Sequence, residues 1–231
     1  GLGDVYKRQV FKRGELMYDG QLRDFPTPEI DPYLVKRAHD TFHLTKLTAE
    51  DFKDGRPHAI IGLVPGEIIS EDAGYIDHID VEYDILKVAV IERHKNTHHI
   101  GLGYIKGYGL KSGAVATSIS HDSHNIIVVG TNEEEMAAAA NRIVENHGGI
   151  TVMENGNVLG EVTLAIAGIM SDDPLVMVNS ALESAKDEAF RLGVSRDIDP
   201  FMTLSFMALP VIPTLRITTR GVFDVNTQRY I

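Results

Sequence analysis

Residues 85 to 91 read Ile-Leu-Lys-Val-Ala-Val-Ile, a nearly unbroken apolar run rich in the β-branched side chains that suit a pleated strand. A strand with one face in water alternates apolar with polar residues. One that is apolar at almost every position must be covered on both faces, so this segment predicts a strand buried inside a sheet. Further strands are predicted at residues 59–63, 68–69 and 114–119. Asn155-Gly156 signals a tight hairpin joining 150–153 to 158–159, because that dipeptide supplies the positive φ such turns require. In the tail, residues 202–206 and 215–218 suit short strands, with Pro210 and Pro213 confined to the connection.

Two helices are predicted from apolar spacing. Thr131-x-x-Glu134 has the form of a capping box, Met136, Ala139, Ala140, Ile143 and Val144 recur at helical intervals, and Gly148 supplies a left-handed stop. For the second helix, Asp172 or Asp173 caps and Pro174 takes the first turn. Leu175, Val178, Leu182, Ala185, Ala189 and Leu192 then advance by threes and fours to Gly193. The stripe is too short for a coiled coil and suits a helix packed on a sheet. The expected fold class is therefore α/β or α+β: a mixed β-sheet packed by at least two amphipathic helices.

Upstream, residues 10–22 hold two half-apolar runs around Lys12-Arg13-Gly14, as in a β-hairpin. Pro26, Pro28 and Pro32 mark an extended connector, assigned to residues 26–45. Residues 1–9, GLGDVYKRQ, resemble read-through of adapter sequence and are set aside as a sequencing artefact, the alternative being a genuine terminus.

The charge balance narrows the partners. With 22 basic against 33 acidic residues the chain carries −11, which argues against tracking phosphates on nucleic acid or an anionic membrane and favours a small molecule. There is no cysteine, so disulfides, thiolate metal sites and deaminases that hold zinc with cysteines are excluded. A reducing cytoplasm suits this composition, and localisation there is expected. No apolar run approaches the roughly 18 residues of a membrane span. No secretory signal is expected, since Asp4, Lys7 and Arg8 interrupt the first apolar residues.

The candidate chemistry sits at Ser120-His121-Asp122-Ser123-His124-Asn125, six polar side chains running straight into an apolar strand. Polar groups set this densely beside a buried strand need partners, because each one left unpaired costs roughly 1–3 kcal/mol. Three readings stand side by side: a catalytic or substrate-contacting loop, a turn satisfied by its own Asp and Asn, and a self-contained metal centre. Arg93 and His94 leave the end of the predicted buried strand, where ligand groups gather in parallel α/β sheets. Arg93 suits either a polar substrate or a structural ion pair with Glu92 or another acid. His98 and His99 read as exposed loop residues. Gly101-x-Gly103 and Gly107-x-Gly109 lack the third glycine and the following helix of a dinucleotide fingerprint. Met170-Ser171-Asp172-Asp173 opens a helix where free amides favour an anion, but capping itself explains these acids and they are read as structural.

Three stretches carry a resemblance: ERHKNTHHIGLGYIKGYGLKSGAVATSISHDSHNIIVVGTNEEEMA (92–137), IAGIMSD (166–172) and PFMTLSFMALPVIPTLRIT (200–218). In them the chain resembles the C-terminal part of bacterial adenine deaminases of the amidohydrolase superfamily. The resemblance implies hydrolysis of adenine to hypoxanthine and ammonia in purine salvage. It further implies that residues 10–25 are the remnant of an accessory β-sandwich and residues 46–231 the C-terminal domain. The metal-bearing (β/α)8 barrel would then lie in a part of the polypeptide not included here. Its divalent pair, Mn or Fe, makes a hydroxide that attacks C6 of adenine. None of the ten histidines has another two residues away, as the superfamily's His-x-His ligands require, so no metal is expected on this chain and the fragment alone should be inactive.

For this domain's own share, which the resemblance does not assign, His121, Asp122 and His124 are the candidates for contacting the purine or handling protons. Ser123 and Asn125 would bond its ring edge, and Arg93 and His94 would bind substrate or support the loop. A homo-oligomer is expected. Two alternatives remain: a noncatalytic oligomerisation module with an apolar face on the second helix, and an independent metal-dependent hydrolase built on His121, Asp122 and His124.

Overall fold

The computed structural model describes residues 9–24 and 29–231. Its contacts divide the chain into two units, residues 1–35 and 36–231. In the first, β1 (Val10–Lys12) pairs antiparallel with β2 (Glu15–Tyr18). Arg13 and Gly14 both take positive φ, +53° and +84°, the geometry of a two-residue primed turn. The adapter assignment falls on residues 1–8, outside the described residues, and on Gln9.

Residues 26–45 are not extended throughout. A helix, α1 (Pro32–His39), occupies the middle of the expected connector, and the division between the units falls within it, after Val35. Asp31 Oδ1 accepts from the Tyr33 amide at 2.9 Å and Pro32 occupies the first helical position, so the third proline opens a helix.

The second unit contains β3 (His58–Leu63), β4 (Ser70–Ile76), β5 (Ile85–Ile91), β6 (Ile100–Lys106), β7 (Ala114–Thr117), β8 (Ile126–Gly130), α2 (Glu133–Glu145), β9 (Gly149–Glu154), β10 (Asn157–Thr163), α3 (Leu175–Arg191), α4 (Pro200–Met207), β11 (Leu215–Thr218), β12 (Gly221–Asp224) and β13 (Arg229–Tyr230). An eight-stranded mixed sheet runs β10-β9-β7-β8-β5-β6-β3-β4, and β11-β12-β13 form a second, three-stranded sheet. This is the expected class.

Strand β5 lies inside the large sheet between β8 and β6. Leu86, Val88 and Val90 enter one apolar cluster with residues of α3, α4 and β11, while Ala89 and Ile91 enter the other with α2. The unbroken apolar run thus serves two cores. Lys87, the exception, is 7% exposed on the α2 side, where its Nζ bonds Glu133 at 2.5 Å and the Phe52 carbonyl at 3.0 Å.

Several expectations need correction. Residues 68–69 precede β4 instead of forming a strand. The glycine-rich segment contains β6, and its glycines serve packing: a Cβ at Gly101 would sit 1.9 Å from the Thr218 carbonyl and one at Gly103 2.7 Å from Val222, so the small sheet could not approach. Gly107 and Gly109, at φ +93° and +92°, give their amides to the Asp84 carboxylate at 3.0 and 2.7 Å.

Helix α2 is capped by Asn132, which accepts from the Glu135 amide at 2.8 Å; Thr131 bonds the Gly113 carbonyl instead. The left-handed residue after α2 is His147 at φ +55°, one position earlier than expected. The Gly148 amide then closes the turn on the Ile143 carbonyl. For α3, Pro174 is the cap position and makes no side-chain cap, so neither aspartate performs that role. Residues 202–206 belong to a helix, α4. Asp199 accepts from the amides of Phe201 and Met202 at 3.0 and 2.9 Å with Pro200 in the first turn, which is a helix opening that overrides strand-like residue types.

Candidate functional site

The polar run forms the turn between β7 and β8. Its ends are fixed from opposite sides. On one side α4 holds it: the Ser205 hydroxyl donates to the Ile119 carbonyl, and the Ser205 carbonyl accepts from the His121 amide at 3.2 Å. The His121 ring then lies 5.3 Å from the Phe206 ring. Helix α4 is anchored through Phe201, Leu204 and Met207 in the core and through Tyr108, whose hydroxyl donates to the Pro200 carbonyl at 3.0 Å.

On the other side stands Arg93, 1% exposed. Its Nε donates to the His124 carbonyl at 2.5 Å, Nη1 to the Thr41 carbonyl and hydroxyl at 2.8 and 3.1 Å, and Nη2 to the Ala167 carbonyl at 2.9 Å. The Phe42 ring stacks on the guanidinium at 4.2 Å. Among the described residues no carboxylate pairs with it, so the expected ion pair with Glu92 is not formed. Burial lowers its pKa to about 10, against the opposing pull of the Glu92 charge. Glu92 instead collects amide donors from His94, Lys95 and Thr97. Partial burial works to raise its carboxyl, and these bonds outweigh that and hold it below the usual range. His94 Nε2 lies 2.8 Å from the Ser123 carbonyl, a second tie to the turn.

The sheet around Arg93 is antiparallel on both sides of β5, so the parallel-sheet argument that pointed to this strand end does not apply. Arg93 is drawn to the turn by its own carbonyl partners.

Within the turn, Asp122 and Ser123 are exposed, His121 and His124 half-buried, and Asn125 8% exposed. The imidazole centroids of His121 and His124 are 6.5 Å apart, edge to face. Ser120 Oγ, His124 Nδ1 and Asn125 Oδ1 are sealed from solvent without a hydrogen-bond partner. A self-satisfied turn would leave none of these orphaned, since each costs roughly 1–3 kcal/mol. His124 is pushed below the ordinary imidazole pKa, first by burial, then by the nearby charges of His121 and Arg93, with Asp122 opposing. The arrangement favours a neutral imidazole able to accept a proton.

Beside the turn opens a cleft of ≈ 320 Å³. Asp122, Ser123 and Asn125 form one wall; Ala208 to Val211 and Thr218-Thr219 form the other. Sequence reasoning missed that second wall and the two α4 residues behind it. The Asp199-Pro200 opening signals α4, but no local pattern brings residues 205–211 to residues 119–125. Among the described residues no group of three or more His, Asp or Glu side chains could hold a metal ion. His121, Asp122 and His124 do not converge as ligands.

Comparison with known proteins places this geometry in context. The family model described as "Adenine deaminase C-terminal domain" matches residues 67–229. A Bacillus subtilis protein named adenine deaminase is 52% identical over 66% of this chain and 26% of its own length. Proteins of the same name from Brucella melitensis (44% identical, 80% of this chain, 34% of the relative) and Petrotoga mobilis (38%, 100% and 41%) agree. The chain thus spans between about a quarter and two fifths of the length of these relatives.

Proposed function

We propose that this chain, which belongs to the adenine deaminase C-terminal domain family, is the C-terminal portion of an enzyme that hydrolyses adenine to hypoxanthine and ammonia in purine salvage. The observation that carries this reading is the family match over residues 67–229. The share of the relatives' length covered supports a larger polypeptide, and the (β/α)8 barrel with its Mn or Fe pair belongs to that remainder. The described residues do not fit a metal pair, so the pair's ligands are assigned to the rest of the polypeptide. A cytoplasmic location suits the absence of cysteine, and no helix among the described residues is long and apolar enough to cross a membrane.

The turn from His121 to Asn125 is the part of this chain that meets substrate. Three features support the role: exposed Asp122 and Ser123, orphaned polar atoms on His124 and Asn125, and an open cleft alongside. His124, kept neutral, handles a proton at its ring nitrogen. Asp122 and His121 flank it, Ser123 and Asn125 bond the ring edge of the purine, and Arg93 and His94 hold the turn through its carbonyls. Joined to the upstream portion of the Bacillus subtilis relative, His124→Ala should lower adenine deamination at least tenfold with metal content unchanged. An unaltered rate rejects the role.

The homo-oligomer expected for the whole protein has a candidate contact at the start of α3, where Leu175, Val176 and Met177 are 83%, 73% and 62% exposed in succession. Sedimentation of Val176→Glu against the parent chain tests it.

A further inference from the structure

A second cavity, of ≈ 290 Å³, shares no lining residue with the cleft beside the 121–125 turn. Asp54, Arg56 and His58 line it from the residues that lead into β3, Ile100 to Leu102 from β6, and Arg220 from the turn between β11 and β12. In a chain of net charge −11 this cluster runs the other way, with two guanidiniums and an imidazole against one side-chain carboxylate. That carboxylate is already engaged. Asp54 Oδ2 accepts from Arg56 Nε and Nη2 at 3.3 and 3.0 Å, and His58 Nε2 lies 2.9 and 3.0 Å from its two oxygens. Burial works to raise the Asp54 carboxyl, and these bonds outweigh that and hold it below the usual range, so it stays ionised and cancels one cation only.

Arg220 is the cation left over. Its guanidinium lies over the Tyr230 ring at 4.4 Å, and among the described residues no side-chain or carbonyl oxygen accepts from it. Stacking occupies the flat face of a guanidinium and leaves its fork of in-plane donors unspent. The Arg220 amide donates to Thr218 Oγ1 at 3.1 Å, and the Thr218 hydroxyl donates to Tyr230 Oη at 3.3 Å, which ties the turn to the ring that carries the guanidinium. Because an ionised carboxylate only accepts, His58 Nε2 carries the proton in its bond to Asp54, and Nδ1 has no partner among the described residues. That nitrogen accepts when bare and donates when protonated. A hydrogen phosphate, with both O–H and O⁻, meets it in either form.

We propose that this cavity binds a single phosphate group, free or as the ester of a small sugar, between Arg56 and Arg220 with His58 completing the grip. The volume lies just under the range of pockets that enclose drug-sized ligands, about 300 to 1,000 Å³, which suits a phosphate with little more than a sugar attached. The acidic surface elsewhere disfavours a polyanion but leaves one local phosphate unaffected beyond a Debye length of about 8 Å. The inference goes beyond the proposed function and does not depend on it.

The test is an NMR titration of this chain, at constant ionic strength in chloride, with inorganic phosphate, ribose 5-phosphate and ribose. Both phosphates should shift the amides of residues 54–58, 101–102 and 218–221 saturably, and ribose should not. Tighter binding of the ester assigns the ligand to the sugar phosphates, and equal binding assigns it to free phosphate. Arg220→Gln and Arg56→Gln, both at exposed positions, should each weaken phosphate at least fivefold. Arg196→Gln is the control: that arginine is also exposed and stacked on a ring, Phe190 at 4.9 Å, but it does not line the cavity, so affinity should hold. Ile231 also lines the cavity, and amidating its α-carboxylate should tighten phosphate binding or leave it unchanged. No saturable shift at millimolar phosphate overturns the inference. So does ribose binding as well as its phosphate, or Arg196→Gln weakening phosphate as much as Arg220→Gln, which would mark a diffuse attraction to any exposed cation.

Discussion

Arg93 and His124 show how one buried cation can shape a turn. A guanidinium taken out of water loses hydration that must be replaced, and Arg93 recovers it from the carbonyls of Thr41, His124 and Ala167 instead of from an acid. Its positive charge has no paired acid among the described residues and, behind burial and His121 in size, helps lower the pKa of that imidazole. The sign of the pH dependence follows. A histidine whose folded pKa is depressed contributes stability that is fully present above its unfolded value, about 6.5, and lost as pH falls through the lower folded value. An NMR titration of the chain should give His124 a midpoint below 6.5, and His121→Gln should raise it by removing the neighbouring imidazolium. A midpoint at or above 6.5 in the parent chain contradicts the environment described. The sequence made Arg93 and the six polar residues visible as candidates. It could not assign Arg93 between substrate and structure, because that depends on carbonyls contributed by residues 41 and 167, which no local pattern connects to residue 93.

At the scale of elements, most of the large sheet was legible because its signals are local. The apolar run of β5, the Asn155-Gly156 hairpin with φ +52° and +73°, and the buried Ala139, Ala140 and Ile143 of α2 each follow from a few neighbouring residues. The misreadings have physical causes. Helix α4 is apolar on nearly every side, so it lacks the amphipathic stripe that announces a surface helix, and only Asp199-Pro200 marks its start. Strand β6 is not predicted from its glycine-rich sequence, because Gly101 and Gly103 carry no side chains where β11 and β12 approach, a long-range demand. The start of α2 was displaced by one residue, since Thr131 and Asn132 are both competent caps. The structure assigns the role to Asn132, which yields a sharp contrast: Asn132→Ala should cost about 1 kcal/mol in urea denaturation. Thr131→Ala, which loses a bond of 3.2 Å to the Gly113 carbonyl, should cost less. The reverse order would return the cap to Thr131.

At the scale of the whole molecule, what matters is how the chemistry is divided along the polypeptide. Replacing the amino group of an aminopurine needs a water made strongly nucleophilic and a proton route for the leaving ammonia. On the proposed function, the described residues supply the second of these through His124, whose pKa burial lowers and which lies between Asp122 and His121 beside the cleft of ≈ 320 Å³. They offer no side-chain cluster suited to the first. The net charge of −11 argues against recruitment of a polyanion. Binding and turnover should therefore separate experimentally. Incubated with adenine and added Mn²⁺ or Fe²⁺, the purified chain should release no ammonia above the rate without protein. The same chain joined to the upstream portion of the Bacillus subtilis relative should release it with multiple turnovers, lost again on Asn125→Ala or His124→Ala. Ammonia release by the chain alone, abolished by the same substitutions, would move the reacting centre into this cleft and make it an independent hydrolase.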